Sequence, residues 1–126
     1  MLPHWTAVGK AIMAQMGEEE VRSILSRTGM PRSTATTITD PDLFVARLEE
    51  TQARTYAVDE GENEEGVRCF ATAVPSDTSR LAISVSGRAG RMTASLLERA
   101  VPLLHDACRA IAKELDQPRS VVRAET

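Results

Sequence analysis

The chain has 126 residues, 42% hydrophobic and 26% charged, with a net charge of -3 and two cysteines. That length holds one domain with a real core and not two. No apolar run reaches the length of a signal peptide or membrane span, no basic stripe gathers the 15 Lys and Arg residues into a nucleic-acid footprint, and Cys69 and Cys108 lack zinc or disulfide spacing. The expectations are a cytoplasmic protein with no membrane partner, no metal, no cofactor and no DNA binding by this segment alone.

In chain order, Thr6 to Met16 is predicted to be a helix capped by Thr6, with Val8, Ile12 and Gln15/Met16 at helical spacing and Gly17 ending it. Glu18, Glu19 and Glu20 then crowd the positive end of a second helix, whose stripe is Val21, Ile24 and Leu25 and whose stop is Gly29. A Thr/Ser-rich crossing from Pro31 to Thr39 leads to Asp40-Pro41, an N-cap followed by proline at the first helical position. The third helix runs from there to about Arg54, with Leu43, Phe44 and Leu48 inward. Strands are predicted over Thr55 to Asp59, Val67 to Val74 and Arg80 to Ser86, the last two joined by Pro75 to Ser79 as a hairpin loop. The closing helix, about Ala94 to Leu115, repeats Leu97, Ala100, Val101, Leu104, Cys108, Ile111, Ala112 and Leu115 at spacings of three or four. Cys108 therefore reads as core, and Pro102 interrupts one backbone bond or bends the helix. Arg119 to Thr126 is expected to be a mobile tail.

Side chains alternate along a strand, so Ser84 and Ser86 share one face and Ile83 and Val85 the other. Two hydroxyls aimed together, with a thiol and a carboxylate from the neighbouring strands, suit a small polar ligand; the alternative is that each serine bonds local backbone.

These pieces together resemble the C-terminal effector-binding domain of the IclR family of bacterial transcriptional regulators. The resemblance rests on His4-x-Thr6-Ala7-x-Gly9-Lys10-Ala11, Thr34-x-x-Thr37-Ile38-Thr39 before Asp40, Tyr56-Ala57-Val58-Asp59, Gly66-Val67-x-Cys69-x-Ala71, Ser84-Val85-Ser86-Gly87 and Arg91-Met92-Thr93. It covers roughly Leu2 to Leu115. It implies a GAF-like α+β fold, an antiparallel sheet with helices packed on its faces, lacking the upstream strands of the complete effector domain. Residues 1–116 would be that partial domain and 117–126 a tail.

The resemblance also implies a small organic or aromatic carboxylate as effector, a homo-oligomer (dimer or tetramer), and DNA contact only through an N-terminal winged helix-turn-helix domain absent from this chain. Carried over position by position, it places Ala7, Val8, Asp59, Cys69, Ser84 and Ser86 at the ligand. Amides of Ala7, Val8 and Gly9 at a helix start would meet a carboxylate. Asp59 would accept from the ligand's other end or orient neighbouring donors, so Asp59→Asn would change which acid is preferred. Thr55 stands where the family usually has glycine, and Trp5 where a smaller residue is common, making it pocket wall, core or partner anchor. A degenerate oligomerisation or interaction module that no longer binds effector is the alternative function.

The remaining constellations read as structural. His4 and His105 are expected at the surface or capping backbone, Cys69 is an inert small hydrophobe or pocket lining, and Glu60 to Glu65 is a solvated acidic loop without calcium-loop periodicity. Lys10 lacks the upstream glycine of a phosphate loop. No histidine or second carboxylate is placed near Cys69 or Ser86 to act as a base, so the chain does not read as an enzyme.

Overall fold

The computed structural model describes residues 2–76 and 80–116. The expected tail and most of the expected hairpin loop lie outside those residues. A 3-10 turn at Pro3–Trp5 leads into α1 (Ala7–Met13), then α2 (Glu18–Thr28), α3 (Pro41–Arg54), β1 (Ala57–Glu60), β2 (Val67–Ala73), β3 (Ala82–Arg88) and α4 (Ala94–Leu115). This is the expected α+β order, with strand ends shifted by one or two residues.

The caps act as read. The Thr6 hydroxyl accepts from the Gly9 amide at 3.0 Å, the Asp40 carboxylate accepts from Asp42 N at 3.1 Å, and Gly29 closes α2 at φ 70°. Helix α1 stops three residues short of the expected Met16. Gln15 N and Met16 N turn to the carbonyls of Ile12 and Met13, a tighter winding that ends the helix and leaves Gly17 to start α2.

The buried stripe of α1 also differs from expectation. Val8 and Ile12 are only half-buried, whereas Ala7, Lys10, Ala11 and Met13 are buried. The small side chains of Ala7 and Ala11 let the helix lie close on Ala57, Cys69 and Ala71 of the sheet, which a Val/Ile stripe would hold away. Met13 instead joins Val21, Leu25, Phe44, Val45 and Leu48 in the apolar core between α1, α2 and α3. Leu43, expected inward, is 43% exposed, and Val45 takes the inward place beside Phe44.

The sheet is antiparallel in the order β1-β2-β3. Helix α1 covers the face of Ala57, Cys69 and Ala71, and α4 covers the other, where Val74, Cys108 and Ala112 form a core with Ile83, Ile111 and Leu115. Cys108 is core as expected, its sulfur 3.0 Å from Thr72 Oγ1. Pro102 lies inside α4 on an exposed turn, so no amide there reaches the Glu98 carbonyl.

Thr55, which the resemblance sets at a glycine position, is left-handed at φ 73°, ψ 15°, ending α3 with its amide on Thr51 O at 2.8 Å. A β-branched residue is strained there while glycine is not, although glycine gives back part of the gain as unfolded-chain entropy. Thr55→Gly is therefore expected to raise stability by about 0.5–1 kcal/mol in urea denaturation. An unchanged or lower midpoint would show that the bonds of Thr55 outweigh the strain.

Side chains close the outer edge of β1. Gly61 N bonds Val67 O, which sets the ladder so that Ala57 and Asp59 face β2 while Val58 and Glu60 point outward. Lys10 Nζ donates to Val58 O at 3.1 Å and Thr36 Oγ1 to Glu60 O at 3.3 Å. Side chains thus seal the outward carbonyls of β1 against a further strand.

Candidate functional site

Register brings the candidate residues together. Asp59 lies opposite Cys69 and Cys69 opposite Ser86, a single row across all three strands, and the next row on the same face holds Ala57, Ala71 and Ser84. Ala7 packs in one cluster with Cys69 and Ala71, and Val8 borders it. Asp59, Cys69, Ser84 and Ser86 therefore share the sheet face on which α1 packs, with Ala7 and Val8 on the helix side. Ser84 and Ser86 are exposed, whereas Ala7, Asp59 and Cys69 are buried.

Their chemistry is unequal. The Asp59 carboxylate is engaged within the protein: Oδ1 accepts from Glu62 N at 2.7 Å, and the Asn63 amide also bonds to the carboxylate. Burial raises its pKa above the ordinary aspartate value, opposed by those backbone bonds and by Lys10. Asp59 thus holds the start of the loop that turns back to Gly66. Of the amides expected to meet a ligand, that of Gly9 is occupied by the Thr6 cap. The exposed hydroxyls of the site are those of Ser84 and Ser86.

The acidic loop is not fully solvated. Glu62 is buried and ion-paired with Lys10, itself 5% exposed on α1. The Thr34 hydroxyl donates to Gly61 O at 2.6 Å and that of Thr37 to Glu62 O at 2.5 Å, so the Thr-rich crossing clasps this loop. Burial pushes the Glu62 carboxyl up, Lys10 pulls it down, and Asp59 and Glu60 push it up again. The sequence reading missed this pair; its one signal was a lysine inside an otherwise small and apolar helix.

His4 is buried rather than at the surface, and its Nε2 lies 2.9 Å from Pro31 O. A carbonyl only accepts, so that nitrogen carries the proton. Trp5 Nε1 donates to the same carbonyl at 2.8 Å, which makes Trp5 an anchor for the α2–α3 connection. His105 caps Thr55 O at 2.8 Å, as expected of a capping histidine. Clefts lie elsewhere, among them one of about 400 Å³ with Tyr56, His105 and Arg109 in its lining and one of about 420 Å³ beside the Lys10–Glu62 pair, with Arg47 and Arg54 on its walls. Among the described residues no group of three or more His, Cys, Asp or Glu side chains is placed to hold a metal ion, and no helix is long and apolar enough to cross a membrane.

The family model for the bacterial transcriptional regulator IclR C-terminal domain matches residues 1–113. The chain belongs to the IclR family. It is 33% identical over 114 residues to the HTH-type transcriptional repressor AllR of Escherichia coli K12, covering 89% of this chain and 42% of that repressor. The C-terminal domain of the E. coli regulator KdgR superposes with a TM-score of 0.84 at 31% identity, over 91% of this chain and 71% of that one. Thermotoga maritima IclR gives the same TM-score and identity, with 91% and 47% covered. The inducer-binding domain of an Acinetobacter PobR double mutant, solved with 3-hydroxybenzoic acid, shares the fold at TM-score 0.79 and 24% identity. This IclR-type domain is thus a GAF-like regulator domain, homologous to effector-binding domains of transcriptional regulators, and spans less than half the length of the AllR repressors it matches.

Proposed function

We propose that this IclR-type domain senses a small organic or aromatic carboxylate and thereby modulates DNA binding by a winged helix-turn-helix domain of a cytoplasmic homo-oligomeric regulator. Residues 1–116 form the sensing unit. The observation that carries the reading is the row Asp59–Cys69–Ser86, with Ser84 in the next row, on the face that α1 covers. Ser84 and Ser86 donate to the carboxylate, Ala7 and Val8 wall it on the helix side, and Cys69 lines the floor. Asp59 acts as a positioning residue, because its carboxylate is already bonded to the Glu62 and Asn63 amides. The PobR domain, crystallised with an aromatic acid, supports the size and class of ligand. For the sensor to signal, the acid must bind one conformation or assembly state better than another.

Losing one hydrogen bond to a charged ligand group covered on binding costs on the order of 1–3 kcal/mol, so Ser86→Ala is expected to weaken the preferred acid about tenfold or more. Asp59→Asn keeps the acceptor for Glu62 N and is expected to alter affinity less than Ser86→Ala does, which replaces the expectation that it resets ligand preference. Isothermal titration against keto, hydroxy and aromatic acids tests both. Binding that ignores Ser86→Ala moves the site elsewhere. If no acid in the panel binds, the interaction-module reading takes over, a reading favoured by the internal use of the Asp59 carboxylate.

A further inference from the structure

We propose that the cleft where the end of α1, the end of α3 and the middle of α4 meet is a second small-molecule site, taking an aromatic monocarboxylate with its ring on an alanine floor and its acid group on Arg109. The volume of about 400 Å³ falls in the range of small-molecule sites. Ala11, Ala14 and Ala73 line the cleft beside Cys108, and side chains this short leave room for a ring. Tyr56 adds an aromatic wall. The Arg54 guanidinium, which lines the neighbouring cleft, steadies that wall from 4.9 Å above the ring centroid. His105 is fixed as well, by its bond to Thr55 O at 2.8 Å. No residue of β3 lines the cleft, so its shape rests on the three helices, the approach to β1 and the end of β2.

Charge selects the ligand. Among the described residues no carboxylate lines this cleft, whereas the Arg109 guanidinium does. Arg109 gives Nη2 to the exposed Asp106 carboxylate, a surface pair that contributes little, and keeps Nε and Nη1 for an anion. The cleft beside Lys10 offers no such bias, because Glu50, Glu60 and Glu62 line it together with Lys10, Arg47 and Arg54. Thr51 stands between the two clefts and points to an occupant. It is 5% exposed, its hydroxyl has no hydrogen-bond partner among the described residues, and protein atoms do not seal that hydroxyl in. A hydroxyl so deeply placed costs stability unless something bonds it, and a carboxylate oxygen accepts from it. Helix α1 borders both sites, with Ala7 and Val8 toward the serine face and Ala11 toward the cleft. This inference does not depend on the serine-face reading.

Tyr56 is the only tyrosine of the chain, so its ring reports on the cleft while the Ser84 and Ser86 amides report on the other site, both by nuclear magnetic resonance of the whole chain. Benzoate is the probe. It is expected to shift the Tyr56 ring signals saturably, whereas benzylamine, similar in shape and opposite in charge, is expected to leave them in place. Arg109→Gln is expected to weaken the Tyr56 response to benzoate about tenfold and Thr51→Val severalfold, with unchanged circular dichroism, because the first side chain is exposed and the second change keeps the shape. Gln52→Trp, at an exposed position lining the cleft, is expected to fill it and abolish the response. Benzoate shifts at the Ser84 and Ser86 amides without any at Tyr56 overturn the proposal and leave the serine face as the binding site. Shifts at Tyr56 without any at those amides uphold the cleft and count against the serine face. A Tyr56 response that survives both Arg109→Gln and Gln52→Trp, or that benzylamine reproduces, overturns the proposal, as does a Tyr56 ring that no concentration of benzoate moves.

Discussion

Gly9→Ala is expected to destabilise the domain by about 2–3 kcal/mol, lowering its melting temperature by several degrees. Helix propensity alone predicts the opposite, since alanine is favoured over glycine inside a helix by about 1 kcal/mol. Packing decides the sign. A Cβ at residue 9 would stand 2.3 Å from the Pro3 carbonyl oxygen and 2.7 Å from Pro3 Cα, and these are backbone atoms with no rotamer to escape into. The turn Pro3–Trp5 must then separate from α1, and with it the bonds that His4 and Trp5 make to Pro31 O. Differential scanning calorimetry of wild type and variant measures the effect. A rise in melting temperature would mean that the turn moves aside at no cost and that close approach is not why glycine stands here.

Lys10→Met is expected to cost about 3 kcal/mol near neutral pH, because it leaves the Glu62 carboxylate buried without its cation and the Val58 carbonyl without its donor. The loss should depend on pH with a definite sign. In the folded wild type the Glu62 carboxyl already titrates above its ordinary value because it is buried, and removing Lys10 removes the main influence that lowers it. A carboxyl whose folded pKa is raised binds a proton more readily folded than unfolded. Its contribution to stability is therefore present below the ordinary glutamate range and lost as pH climbs through the folded pKa. The deficit of Lys10→Met should be small near about pH 4 and grow toward about pH 8, and adding Glu62→Gln should remove most of the growth. Chemical denaturation at several pH values tests this. A deficit of the same size at every pH would show that lost side-chain packing, and not the buried carboxylate, is what Lys10 supplies.

Much of the site was legible because its residues sit in strands whose alternation is local. Ser84 and Ser86 had to share a face, and Asp59 and Cys69 joined them once the register set Asp59 against Cys69 and Cys69 against Ser86. Burial was not legible in the same way. The exposure of both serines depends on how far α1 reaches across the sheet, and the engagement of Asp59 depends on the loop from Gly61 to Gly66 folding back onto it. Leu43 and Val45 show the limit of periodicity: two apolar residues flank Phe44, and which one faces inward depends on where α2 packs against α3.

The amino-acid sequence by itself determined the helix starts, the stops of α2, α3 and α4, the central strand, the face of Ser84 and Ser86 and the core role of Cys108, because caps and side-chain periods act over a few residues. Tertiary structure alone decided what depends on distant segments meeting. Lys10 and Glu62 are 52 residues apart, and neither carries a local sign of its partner. A lysine on a short helix reads as solvated until the helix is laid on the sheet beside a loop that buries its ammonium against a carboxylate and a strand carbonyl. The same packing closed the outward carbonyls of β1, which backbone direction and neighbouring side chains do together.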